Sequence, residues 1–270
     1  MKKNTIQFAA ASAALLVSAT AFAGDQTAAV SDPTVTVLGE GGSSGGEAVG
    51  AGGVSVSLPL GHDFGVQLDG ALSQANSTGG GEFGTHLFTR DPQSYLAGVI
   101  FDFNRFGSDS SYRYGVEGEK YLGDFTFSAL GGIQRGGANK NTTTAGFAGA
   151  QGDYYVTDRL KTSVSFGGYA NYRALLGEVE WQPTHDLPYA LFADAGATVA
   201  HNDRGIVLLG VRYTFGASGS SIQERDRHGD PEPLLLGGAT SANLTGNTHA
   251  LQRQQQPQQP RPVVVAPPPV

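Results

Sequence analysis

A chain of 270 residues that contains no cysteine is not a disulfide-stapled secreted domain, and it has neither thiolate metal ligands nor a cysteine nucleophile. Forty glycines are roughly twice ordinary usage; each would weaken a helix interior by about 1 kcal/mol, so an all-β fold is favoured. Formal charge is −7, from 17 Lys and Arg against 24 Asp and Glu, which argues against a nucleic-acid partner.

Residues 1–23 read as a signal peptide: Lys2 and Lys3 form the positive start, Phe8 to Val17 the apolar run, and Ala21-Phe22-Ala23 the cleavage site. Cleavage after Ala23 leaves a short periplasmic segment, 24–33, and moves the charge to −9. No later apolar run approaches the roughly 20 residues of a spanning helix, so strands must do any membrane crossing.

From Thr34 to Phe215 one unit repeats, an alternating run followed by a break of Gly, Asp, Asn, Ser or Pro. Twelve runs are predicted: Thr34 to Glu40, Val49 to Leu60, Gly65 to Ala75, Phe83 to Arg90, Tyr95 to Asn104, Tyr112 to Tyr121, Phe125 to Arg135, Gly146 to Tyr155, Leu160 to Gly168, Ala174 to Gln182, Tyr189 to Ala197 and Ile206 to Phe215. Tight links (61–64, 91–94, 122–124, 156–159, 183–188) alternate with Gly/Ser/Asn/Thr segments read as longer loops (41–48, 76–82, 105–111, 136–145, 169–173, 198–205). Short turns on one side and loops on the other are the outer-membrane arrangement. An even number of strands returns both ends of 34–216 to the turn side.

Each run is apolar on one face only. Val207, Leu209, Val211, Tyr213 and Phe215 oppose Arg212 and Thr214; Leu175, Val179 and Trp181 oppose Glu178 and Glu180. A soluble β-sandwich alternates in the same way. Aromatics at run ends, such as Tyr95, Tyr112, Tyr154, Trp181, Tyr213 and Phe215, favour a membrane barrel with interfacial girdles.

The final run, with Tyr213-x-Phe215 after Val207, Leu209 and Val211, resembles the closing strand of Gram-negative outer-membrane β-barrel proteins of the porin-like class. PLGHDFGVQLDG (59–70), HLFTRDP (86–92), YRYGVEGEKYLGDFTFSALGG (112–132) and SIQERDRHGDP (221–231) are similar to a largely uncharacterised set of exported barrel proteins. The resemblance implies an outer-membrane location and barrel fold, with Tyr213 and Phe215 as the signal read by the barrel-assembly machinery. It departs from the usual porin ending because 217–270 follow the aromatic strand. That Pro/Gln-rich stretch reads as a disordered periplasmic tail, with the reach to tether the barrel to peptidoglycan or an envelope protein.

By the alternation, Asp69, Asp102, Glu117, Glu119, Asp153, Glu178, Glu180 and Asp194 point inward, against Arg90, Arg113, Lys161 and Arg212. Ionised groups are costly in a dry interior unless paired, so this wall implies water, ion pairs or both. An open lumen with that acidic excess draws cations. The expected function is a porin-like channel for small solutes. The alternative is a structural or surface-interaction barrel held to the cell wall by its tail. No catalytic residues, cofactor or metal site are expected: His86 alone among the histidines lies well inside a run, GEGGSSGG (39–46) precedes no helix that would make it a phosphate loop, and no calcium-loop or H-E-x-x-H pattern occurs.

Overall fold

The computed structural model describes residues 28–75, 78–137, 143–169, 172–198, 204–217 and 219–228. The signal-peptide reading, with its cleavage site, and the tail beyond residue 228 fall outside the described residues.

Twelve antiparallel strands form one closed barrel, each paired with its neighbours in sequence. They are β1 (Thr34–Ser44), β2 (Glu47–Leu60), β3 (Phe64–Ala75), β4 (Thr78–Asp91), β5 (Tyr95–Phe106), β6 (Asp109–Leu122), β7 (Phe125–Gly137), β8 (Thr143–Thr157), β9 (Leu160–Tyr169), β10 (Tyr172–Trp181), β11 (Tyr189–Thr198) and β12 (Arg204–Phe215). Closure runs from Val35 opposite Phe215 to Ser44 opposite Ile206, so no strand edge is left to pair elsewhere. A sandwich of two stacked sheets is thereby excluded.

Several strands continue through segments whose composition suggested loops. Gly41 to Ser44 pair with both Leu209 to Ile206 and Gly50 to Glu47, which leaves only Gly45 and Gly46 as the link. Both have positive φ, 61° and 82°, the backbone of a two-residue hairpin turn. Similarly, β5 and β6 are joined by Gly107 and Ser108 alone. The small residues there are strand residues because the closed ladder pairs their backbones whatever their side chains. Gly42 also lies so close to the Val207 carbonyl that a Cβ would overlap it. The longest of these corrected strands, β8 at 15 residues and β2, β4 and β6 at 14, exceed the 9–11 that cross a bilayer and project beyond it.

The exterior is apolar. Leu72, Val99, Val116, Val164, Leu175, Val207 and Leu209 are exposed outward, and aromatic groups flank them. Phe125 stacks on Tyr154 with ring centroids 4.7 Å apart, Tyr213 meets Phe215 edge-on at 4.8 Å, and Phe103 lies 5.0 Å from Tyr112. A continuous belt of this kind on a closed barrel faces hydrocarbon.

The inner wall explains part of the glycine content. Four inward phenylalanines each stand directly across from a glycine on the next strand: Phe88 and Gly65, Phe106 and Gly80, Phe147 and Gly132, Phe192 and Gly210. In every pair the ring occupies the space that a glycine Cβ would need, so each ring lies down against the wall instead of standing into the lumen. Arg90 caps the Phe88 ring and Arg212 the Phe192 ring, both at 5.2 Å. Gly210→Val should therefore displace Phe192 and lower stability by about 1–3 kcal/mol, seen as a lower urea midpoint for loss of the heat-modifiable gel band. Adding Phe192→Ala to that chain should recover part of the loss.

Candidate functional site: a charged lumen with an occupied mouth

The turn end of the barrel is filled by chain from both sides of β1–β12. At the N-terminal side, residues 28–33 form a strap: Ala29 donates its amide to the His62 carbonyl at 2.8 Å, and Val30 packs with Phe88, Leu96 and Tyr121. After β12, Gly216 and Gly219, at φ 81° and 91°, turn the chain back toward the lumen. A short helix, α1 (Ile222–His228), follows.

The local sequence dictates that helix. Ser221 Oγ accepts from the Glu224 amide at 3.1 Å and Glu224 Oε2 accepts from the Ser221 amide at 2.8 Å, a reciprocal capping box. Its arginines fall in the last turn, where the helix dipole favours positive charge. The tail reading thus needs correction at its start: 219–228 dock on the barrel, because this segment carries its own cap and a set of charges that the lumen complements. The segment before β1 is likewise part of the filled mouth over its described residues.

Docking is reciprocal in charge. Arg225 Nη2 donates to Glu180 Oε1 at 3.3 Å. Asp226 Oδ2 accepts from Tyr155 Oη at 3.0 Å and from Lys161 Nζ at 3.2 Å, while Arg90 reaches the Asp226 carbonyl at 3.4 Å and the Ala29 carbonyl at 2.6 Å. Arg227 donates to the carbonyls of Gly123 and Phe125 at 2.8 and 2.9 Å and lies over the rings of Tyr121 and Tyr155. Ile222, fully buried, supplies the apolar contact.

On the wall itself, Glu180 is the charge centre of the turn end. Lys161 is 3.0 Å away and Arg212 also donates to it; Lys161 lies 4.0 Å from Glu178 as well. A second centre sits on β3–β6. His86 stands between Asp69 at 3.1 Å and Glu117 at 2.9 Å, and Arg113 between Glu82 at 2.8 Å and Asp102 at 3.6 Å. Asp69 is further held by Ser55 at 2.6 Å and Gln67 at 3.0 Å. Gly84 lies in register with both Asp69 and Asp102, and its missing side chain leaves the space that both carboxylates border.

The remaining sequence-derived positions are also on the inner wall. Asp153 accepts from Gln151 at 2.9 Å, Glu119 accepts from Tyr121 at 2.9 Å, and Asp194 is buried. Asp69, Arg90, Asp102, Arg113, Asp153, Lys161, Glu180, Asp194 and Arg212 are all buried inside the barrel, and Glu117, Glu119 and Glu178 are partly so. Asp69, Asp102, Arg113 and Glu117 gather in one centre and Lys161, Glu178, Glu180 and Arg212 in the other, while Arg90, Glu119, Asp153 and Asp194 lie outside these two sets of ion pairs. Sequence reasoning missed Glu40 and Glu82, both buried. Glu82 shares the parity of His86 and is legible once the β4 alternation is carried back into the Gly run. Arg225, Asp226 and Arg227 were also missed, although the S-x-x-E box marks their helix. Tyr213 and Phe215 face outward at the turn end of the closing strand, opposite Val37 and Val35.

No protein-family model matches the chain, and no curated protein does. Its likeness is to solved structures. The KdgM porin in complex with disordered oligogalacturonate superposes with a TM-score of 0.52 at 11% identity, over 67% of this chain and 99% of that one. An outer membrane channel from Pseudomonas putida F1 gives 0.54 at 12% identity, over 72% and 98%. The NanC porin gives 0.52 at 8% identity, over 66% and 98%. At such identities the likeness is one of fold: a closed 12-strand barrel of the kind that outer-membrane porins use.

Two outcomes follow from the site. Glu180→Ala leaves buried cations short of their shared partner and should cost about 3–5 kcal/mol, read from urea unfolding in lipid vesicles. His228 is half-buried, and burial, then the charge of Arg90 on β4, lowers its pKa below the ordinary histidine value; Arg227 acts in the same direction and Glu224 against it, while Ser31 of the strap lies 3.3 Å from Nδ1. The docked state prefers neutral histidine, so this contribution is present above about pH 6.5 and is lost as pH falls. Hydrogen exchange across 222–228, corrected for intrinsic rate, should be faster at pH 5 than at pH 8.

Proposed function

We propose that the protein is a porin-like channel of the outer membrane that passes small solutes and favours cations. The observation that carries this reading is the sign of the inner wall. Glu40, Asp69, Glu82, Asp102, Glu117, Glu119, Asp153, Glu178, Glu180 and Asp194 outnumber Arg90, Arg113, Lys161, Arg212 and His86. A fixed negative surplus inside a low-dielectric wall raises the local concentration of cations and repels anions. The porin fold of the superposed structures supports the same class. Insertion would place the apolar belt in lipid, with Tyr213 and Phe215 read by the barrel-assembly machinery.

Planar-bilayer recording tests the reading. The full chain should give conductance steps whose reversal potential in a KCl gradient lies on the potassium side. Neutralising Asp153 and Asp194 together to Asn should shift it toward zero by a measurable fraction while the barrel stays heat-modifiable. Anion preference in the unmodified protein overturns the proposal.

The burial of the lumen charges and the filled turn-side mouth favour a second reading, a structural barrel tethered to peptidoglycan or an envelope protein through the residues after 228. Silence in the bilayer from correctly inserted protein, together with co-sedimentation with peptidoglycan that is lost on truncation after His228, would select it. Neither reading assigns chemistry to His86, whose two ring nitrogens both face carboxylates.

A further inference from the structure

We infer that residues 219–228 are a displaceable gate, latched in the turn-side mouth by Arg225 on Glu180 and by Asp226 on Lys161 and Tyr155; the gating role rests on the channel reading above.

Two features of the docked helix distinguish a latch from a permanent plug. Its removal strands no charge on the wall, since Glu180 keeps Lys161 and Arg212, and Lys161 keeps Glu180. Its hold is mostly polar, with Ile222 the one apolar side chain of the helix that is fully buried. On release, water replaces such hydrogen bonds, so that undocking exposes little apolar surface.

Room and hinges for the movement are present. A cleft of about 520 Å³ lies beside the helix and the turn end of β1 and β12, bordered by Ser31, Thr214, Ser220, Arg225 and His228, and the helix bridges to the strap at its last residue, where Ser31 donates its amide to the His228 carbonyl at 3.2 Å. The chain leaves β12 through Gly216 and Gly219, both in the left-handed region, where rotation meets little steric resistance.

The absence of cysteine makes a direct test possible. Ile222→Cys gives a single thiol at a fully buried position, and its rate of reaction with a small maleimide reports undocking. Combining it with Arg225→Ala and Asp226→Asn should raise that rate about tenfold, the expected consequence of losing charge-assisted hydrogen bonds, with the heat-modifiable band unchanged, and should increase bilayer conductance. A second chain with Asp158→Cys and Ile222→Cys, positions joined by an amide-to-carbonyl bond of 3.0 Å, should lose conductance on oxidation and regain it on reduction. Unchanged labelling in the charge variants overturns the latch. Faster labelling with unchanged conductance from a barrel that does conduct overturns the gate alone. Faster labelling from a barrel that stays silent overturns the gate and the channel reading together.

Discussion

The pairing of β1 with β12 is the constraint from which the remainder of the molecule follows. Ten register positions close the ladder, and without them two strands of unsatisfied amides and carbonyls would face hydrocarbon, where each unmade hydrogen bond costs several kcal/mol. Closure forces every strand to present alternate residues to lipid and to the interior. It also recruits weak sequence: the Gly-rich end of β1 has little strand propensity, yet it is held on both sides by the neighbours that complete the ring.

Closure creates an interior that must be managed. Twelve strands enclose more volume than the eight whose side chains can fill a small barrel. The chain answers with three devices that occupy different places. Phenylalanines lie flat over glycines on the wall, ion pairs are organised around Glu180 and around the His86 and Arg113 pairs, and the segments flanking the barrel fold into the turn end. The last device depends on the second, because the helix is recognised by charges already balanced on the wall. The acidic surplus of the wall is complemented by the arginines that the helix carries, as in the contact of Arg225 with Glu180.

The strand pattern was legible because a period of two survives in nearly every run, and lipid outside with charge inside gives that period strong contrast. Val207 to Phe215 illustrate this: every residue named as lipid-facing is exposed outward, and Arg212 and Thr214 are buried within. Loop lengths were not legible. Glycine and serine have no face, so in 41–44 alternation disappears from the sequence while persisting in the backbone, and pairing with residues more than 150 positions away decides the outcome. Alternation placed the named charges on the inner wall but passed over Glu40 and Glu82, which lie in Gly-rich stretches, and the gathering of ion pairs around Glu180 and around His86 and Arg113 depends on strand stagger, which no local pattern encodes. The docked helix was hidden for another reason: its few apolar residues suggested a chain with no core, whereas its partners are charges on distant strands.

The glycine and phenylalanine couples carry a consequence for how this barrel can change over time. A ring and the bare backbone across from it form a single steric unit, so neither Gly210 nor Phe192 is free to drift alone. Lineages that diverge from this chain should exchange such couples as wholes, with the large residue moving to the other strand or both members converging on intermediate size. The inner wall would then hold a record of compensated substitutions, while the lipid-facing positions wander among oily residues without leaving one.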